Sequence, residues 1–164
     1  MSGFLGRAFC PKDEKRYGNT FTPEINTGML IQKIEQMCET VVTYKTNLVK
    51  CLPLTKEQKL RYPSKGEIDS CFEHLVSEIY IMSPKIVFLL GEKVYLSVEK
   101  HLKIDFKKWD EFEYHYKEYK GTYYVPIHHP SYIYIYKRKQ IDKYIESVKK
   151  IINELLSVPF VGKL

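Results

Sequence analysis

Apolar positions along the chain alternate between helical and strand spacing, and the changes of period outline the fold. From Thr27 to Met37 the residues Leu30, Ile31, Ile34, Met37 and Cys38 fall on one helical face, which predicts a helix. Val41 to Lys50 reads as a strand, running into the turn-like Cys51-Leu52-Pro53-Leu54 and a lysine-rich polar loop from Thr55 to Arg61. Ser64 and Glu67 form an S-x-x-E capping box, so a helix starts there and carries the stripe Ile68, Cys71, Phe72, Leu75, Val76 and Ile79. Ser83-Pro84 stops that helix. Lys85 to Leu90 is a short apolar run suited to a strand buried on both faces, and Gly91 turns the chain into a helix over Glu92 to His101. Aromatic alternation from Phe112 to Ile127 predicts paired strands turning at Lys120-Gly121, and a last amphipathic helix spans Gln140 to Leu156 through Ile141, Ile145, Val148, Ile152 and Leu155.

Alternating helices and strands predict an α/β fold: a three-layer sandwich with a central, mostly parallel four-stranded sheet flanked by helices, as a single domain over residues 1–164. Sites in such sheets lie beyond the carboxyl ends of the strands, so the loops that follow the strands are where chemistry is expected. Composition agrees, since 164 residues that are 44% hydrophobic and 28% charged can build one core without disulfide or metal staples. The net charge of +6 favours a polyanionic partner. No apolar stretch is long enough for a signal peptide or a bilayer span, which predicts a cytoplasmic protein with no membrane partner; a monomer is expected. In a reducing compartment the four cysteines are expected to be buried thiols or metal ligands rather than disulfides.

Four segments stand in the loops and strand ends where chemistry is expected. They are Phe4-Leu5-Gly6-Arg7-Ala8 with the later Gly18-Asn19-Thr20-Phe21 and Gly28-Met29-Leu30; Thr46-Asn47-Leu48-Val49-Lys50-Cys51-Leu52-Pro53; Glu67-Ile68-Asp69-Ser70-Cys71 through Pro84-Lys85-Ile86-Val87 to Leu90-Gly91; and His129-Pro130-Ser131. In this order they resemble the motifs of the uracil-DNA glycosylase superfamily, most closely its family 4 branch. Each motif alone is weak; the four together cover most of the chain.

The resemblance implies a monofunctional DNA glycosylase, which flips a base out of the stack and hydrolyses its bond to the sugar, leaving an abasic site. Phe21 would stack under the base, and the amide of Asn47 would donate to and accept from a pyrimidine edge. His129 would donate a hydrogen bond to the base oxygen on which negative charge develops, stabilisation of the kind where removing one donor costs about 10²–10³ in rate. Ser131 would bind a phosphate. Tyr132 to Lys139 would meet DNA, with side chains such as Tyr132 wedging between bases and Lys137 and Arg138 gripping phosphates; the alternative is a strand or helix entry with solvated cations. Lys50, and a surface of Lys56, Arg61 and Lys65, read either as phosphate contacts or as solvated charges. Of the neighbours His128 and His129, only one should face the pocket.

Departures from the family bear on the substrate. Arg7 stands where a water-handling glutamate is expected, and arginine cannot act as a base at neutral pH. Asp13 and Glu14 follow a few residues on, where either orients water or both are exposed loop charges. With Phe9 and Cys10 reshaping the pocket floor, the substrate is uracil or a modified pyrimidine, such as a hypermodified phage cytosine, which would make the role defence rather than repair. No cofactor is needed for the chemistry. Family 4 implies a [4Fe-4S] cluster, for which Cys10, Cys38, Cys51 and Cys71 are the available ligands; Cys38 and Cys71 also lie on apolar helix faces, as buried thiols do. No lysine is placed for Schiff-base chemistry, so no strand-cleaving step is expected. The rival readings are a catalytically inactive DNA- or base-binding protein of the same fold and an enzyme acting on free nucleotides.

Overall fold

A computed structural model describes residues 26–38 and 41–158 with side chains and the backbone of residues 2–6. Its elements are β1 (Ser2–Gly6), α1 (Asn26–Gln36), β2 (Thr43–Asn47), α2 (Lys65–Met82), β3 (Ile86–Leu90), α3 (Glu92–Leu102), β4 (Lys117–Tyr119), β5 (Thr122–Ile127), α4 (Pro130–Tyr136), a 3-10 turn (Arg138–Gln140) and α5 (Ile141–Ser157).

Among the described residues the sheet has five strands in the order β2-β1-β3-β5-β4. β1 pairs in parallel with β2 and β3, β3 pairs in parallel with β5, and β4 closes one edge antiparallel to β5, so the sheet is mixed. This corrects the expected four-stranded sheet. The strand the sequence hid is β1, whose Ser-Gly-Phe-Leu-Gly has neither alternation nor strong strand preference; ladders on both sides define it instead. The aromatic run also pairs for less than its length. Phe112 and Tyr114 leave the ladder to fill the core, and pairing is confined to the hairpin whose turn, Lys120 at φ 51° and Gly121 at φ 77°, suits a type I′ geometry.

Helices cover both faces. The period-2 rule sends Ile86, Phe88 and Leu90 of β3 into one core with α1, α4 and α5, through Leu30, Ile31, Ile133, Tyr144, Val148 and Ile152. Val87 and Leu89 point the other way and pack with Phe72 and Leu75 of α2 and Tyr95 and Val98 of α3. The capping box is formed as expected: the Ser64 side chain accepts from Glu67 N–H, and the Glu67 carboxylate accepts from Ser64 N–H at 2.7 Å. Ser83, left-handed at φ 42°, ends α2.

The chain runs from β1 outward to β2, then crosses over β1 through α2 to β3 on its other side. The winding direction therefore reverses between β1 and β3. In open α/β sheets a crevice opens at the carboxyl ends of such a pair, the usual position of a ligand site.

Candidate active site

The parallel strands end level with one another. Gly6 is in register with Asn47, and Leu90 with Ile127, so Asn47, Gly6, Gly91 and the His128-His129 pair all emerge at one edge of the sheet. Asn47 on β2 and His129 beyond β5 stand on either side of the β1/β3 crevice. Three strand steps separate β2 from β5, which at about 4.8 Å each puts the two backbones about 14 Å apart.

Asn47 is 8% exposed, and its Oδ1 is buried without a hydrogen-bond partner. An unsatisfied buried acceptor costs about 1–3 kcal/mol, so a native fold that keeps one has a reason for it. The backbone beneath is held firmly. Lys50 Nζ donates to the Asn47 carbonyl at 2.9 Å, to Thr46 Oγ1 at 2.6 Å and to Glu78 Oε2 at 2.6 Å. Lys50 is thus neither a phosphate contact nor a solvated charge, the two alternatives open from sequence. Arg61 is likewise engaged, forming a bidentate pair with Glu67 at 2.7 and 2.8 Å and donating to the Leu54 and Tyr62 carbonyls. The Arg61 guanidinium, together with hydrogen bonds from the Ser64 backbone and hydroxyl, pulls the Glu67 carboxyl down to about 2. Lys56 and Lys65 remain exposed.

The two histidines separate sharply. His128 turns into an aromatic cage: Trp109 lies 4.8 Å from its ring, Phe112 5.7 Å and Tyr114 5.8 Å, while Tyr132 stacks on it at 5.5 Å and 13°. The Tyr114 hydroxyl, kept protonated by burial, hydrogen-bonds its Nδ1 at 2.9 Å, and Tyr144 donates to its carbonyl. Burial, with a smaller contribution from the Lys137 charge, lowers the His128 pKa to about 4, so the ring is neutral at physiological pH. His129 instead caps α4. Its Nδ1 accepts from the Ser131 backbone N–H at 3.2 Å, with the Ser131 hydroxyl 2.7 Å away. A ring nitrogen that accepts carries no hydrogen, so the neutral imidazole bears its hydrogen on Nε2. Ser131, expected to bind a phosphate, here orients His129.

Gly91 makes room for that arrangement. Its φ of 89° and ψ of 158° lie in a region essentially reserved for glycine, and a Cβ there would sit 3.2 Å from the His129 Cβ. Gly91 N–H also donates to the Ile127 carbonyl at 2.8 Å, tying the start of α3 to the strand that delivers the histidines.

Tyr132 to Lys139 is helix α4 followed by the 3-10 turn rather than an extended loop. The Tyr132 and Tyr136 rings lie 5.2 Å apart, tilted by 42°; Tyr136 is 71% and Ile135 64% exposed, and Lys137, Arg138 and Lys139 follow at the surface. Arg7, Cys10, Asp13, Glu14 and Phe21 lie outside the described residues.

Of the described cysteines, Cys38 and Cys71 do not fit one cluster. Cys38 is buried in the core on the α1 side of the sheet, whereas Cys71 packs against the core on the α2 side, and Cys51 is exposed. Ligands divided by a sheet cannot meet at one iron–sulfur centre. Among the described residues, no group of three or more His, Cys, Asp or Glu side chains is placed to hold a metal, and no helix is long and apolar enough to cross a membrane.

A sequence profile described as "Uracil DNA glycosylase superfamily" matches residues 4–156. The chain belongs to that superfamily. Its fold is similar to a crystal structure of wild-type SMUG2 from Pedobacter heparinus, with a TM-score of 0.58 at 17% identity, covering 96% of this chain and 77% of that one. No curated protein matches its sequence. Gly6, Asn47, Gly91 and His129, drawn from four of the superfamily-like segments, meet at the carboxyl edge, and two features the sequence did not reveal lie beside them: the Glu78 partner of Lys50 and the aromatic cage around His128. Neither had a sequence signal, because in both the partners come together only through the sheet.

Proposed function

We propose that this superfamily member is a monofunctional DNA glycosylase that hydrolyses the N-glycosidic bond of a flipped-out pyrimidine, uracil or a modified base. The observation that carries the reading is the buried, unpartnered Oδ1 of Asn47 at the carboxyl end of β2. A pyrimidine presents an N–H and an acceptor side by side, which an amide satisfies with one donor and one acceptor. Docking such an edge would relieve the cost of that orphan acceptor.

His129 supplies the second half. As water attacks the sugar C1′, the electron pair of the breaking bond passes to the base and accumulates on its carbonyl oxygen. A neutral imidazole with its hydrogen on Nε2 donates to that oxygen, and the Ser131 contacts at Nδ1 select this tautomer. In this reading Phe21 stacks against the base, Arg7 lines the pocket, and Asp13 or Glu14 orients the water. The exposed Tyr132, Ile135 and Tyr136 enter the DNA, beside Lys137 and Arg138 on the phosphates. The reaction needs no cofactor, and no lysine of this constellation forms a Schiff base.

The test is base release from DNAs carrying uracil, hypoxanthine, hydroxymethylcytosine or its glucosylated form, detected by alkaline cleavage at the abasic site. Release of one pyrimidine, abolished in His129→Ala, is expected. No release from any of them, with tight and salt-sensitive DNA binding, would mean a binding protein that has kept the fold without the chemistry.

A further inference from the structure

Asn47 is the last ladder residue of β2, and residues 48–50 bend away from the sheet immediately after it. What holds its backbone there comes from the other side of the fold. Alternation along β2 sends Thr43 and Lys45 toward α1, where both meet Glu35, and sends Thr46 toward α2, where its hydroxyl donates to Glu78 Oε2 at 2.8 Å. Lys50 closes the triangle, and the three donors of its ammonium are fully used on Thr46, the Asn47 carbonyl and Glu78.

We propose that Glu78 is a positioning residue for Asn47, acting through Lys50 and Thr46 to fix the amide that reads the base. The proposal rests on the reading of Asn47 given above. Glu78 belongs to none of the recurring motifs, sits on α2 and reaches Asn47 only through the ammonium. The side chains of the ion pair are 25% and 31% exposed, an exposure at which such pairs add little to stability. Its geometric consequence is larger, because it clamps the carbonyl of the very residue whose Oδ1 stands unpaired. Without the carboxylate the ammonium would turn to solvent, and the end of β2 would lose its brace.

Single-turnover base release at saturating DNA, in Glu78→Ala with and without Asn47→Ala, is the direct test. Glu78→Ala alone should slow release by about tenfold, the scale of coupling carried through a packed network. In the Asn47→Ala background the same change should cost less than about twofold, since the group it positions is gone. Glu78→Gln keeps an acceptor for the ammonium and should recover most of the rate. Equal losses in both backgrounds, or no loss in either, overturn the proposal. A second readout does not depend on activity. The Asn47 side-chain amide signals in a ¹H–¹⁵N spectrum, identified by their disappearance in Asn47→Ala, should shift or broaden in Glu78→Ala. Unmoved signals overturn the positioning role. If the wild-type protein releases no base, the glycosylase reading fails, and the spectrum still decides the role of Glu78.

Discussion

The two rims of the crevice are built from different materials. The β2 rim is ionic: Lys50, paired with Glu78, holds the Asn47 carbonyl in place with directional bonds. The β5 rim is aromatic: Trp109, His128, Tyr132 and Tyr136 touch in series from the half-buried interior to the surface, His128 and Tyr132 stacked and the other two pairs tilted. An ion pair fixes a position when its partners are saturated, as they are at Asn47. Aromatic contact along one side leaves an apolar ring face for a partner, as at the exposed Tyr136. In the function proposed above, the first rim would read a base edge and the second would meet the DNA strand.

Variants that break each rim should separate these roles, and the largest effect is expected at His129. His129→Ala should reduce base release by about 10²–10³-fold with DNA affinity little changed, measured by single-turnover cleavage beside a binding titration. Comparable losses in both would mean that the histidine organises the rim rather than the chemistry. Gly91→Ala should come next, slowing release by roughly tenfold, because the backbone must leave a glycine-only region and the new methyl presses on the His129 Cβ. Wild-type rates in that variant would show that the rim tolerates displacement of its histidine.

The aromatic rim also predicts a pH response. The folded His128 pKa of about 4 lies below its ordinary value of 6.5. Between these values the unfolded chain takes up a proton that the folded one refuses, so stability is full above pH 6.5 and declines as pH falls toward 4. His128→Gln, which cannot titrate, should flatten that part of a Tm-against-pH curve; an unchanged slope would assign it to other groups. The smallest effect is expected from Lys137, Arg138 and Lys139 together. Their replacement by alanine should weaken DNA binding and lower the slope of log affinity against log salt by about 1 for each phosphate no longer neutralised. A slope that does not move would place the phosphates elsewhere.

Much of this molecule was legible before its structure. The Ser64–Glu67 cap, the α2 stripe, the β3 run and the Lys120-Gly121 turn are local signals, each read within a window of a few residues, and each formed. Asn47 and His129 stood out because their neighbours form recognisable motifs. Local patterning was misleading where residues are apolar for another reason: Met37 and Val76 continue their stripes yet are exposed, and Phe112 and Tyr114 alternate like a strand but fill the core as a loop.

The chain's local periodicities alone determined that this is an α/β protein with Asn47 and His129 near the ends of strands, because capping, turn chemistry and burial period act between near neighbours. Only the tertiary structure decided that Ser2–Gly6 is an interior strand of the sheet, that Lys50 braces Asn47 rather than meeting a phosphate, that Cys38 and Cys71 face opposite sides of the sheet, and that His128 packs while His129 caps a helix. In each of these the partners are distant in sequence and the deciding energies, ladder hydrogen bonds, ion-pair saturation and aromatic packing, exist only once the layers have closed.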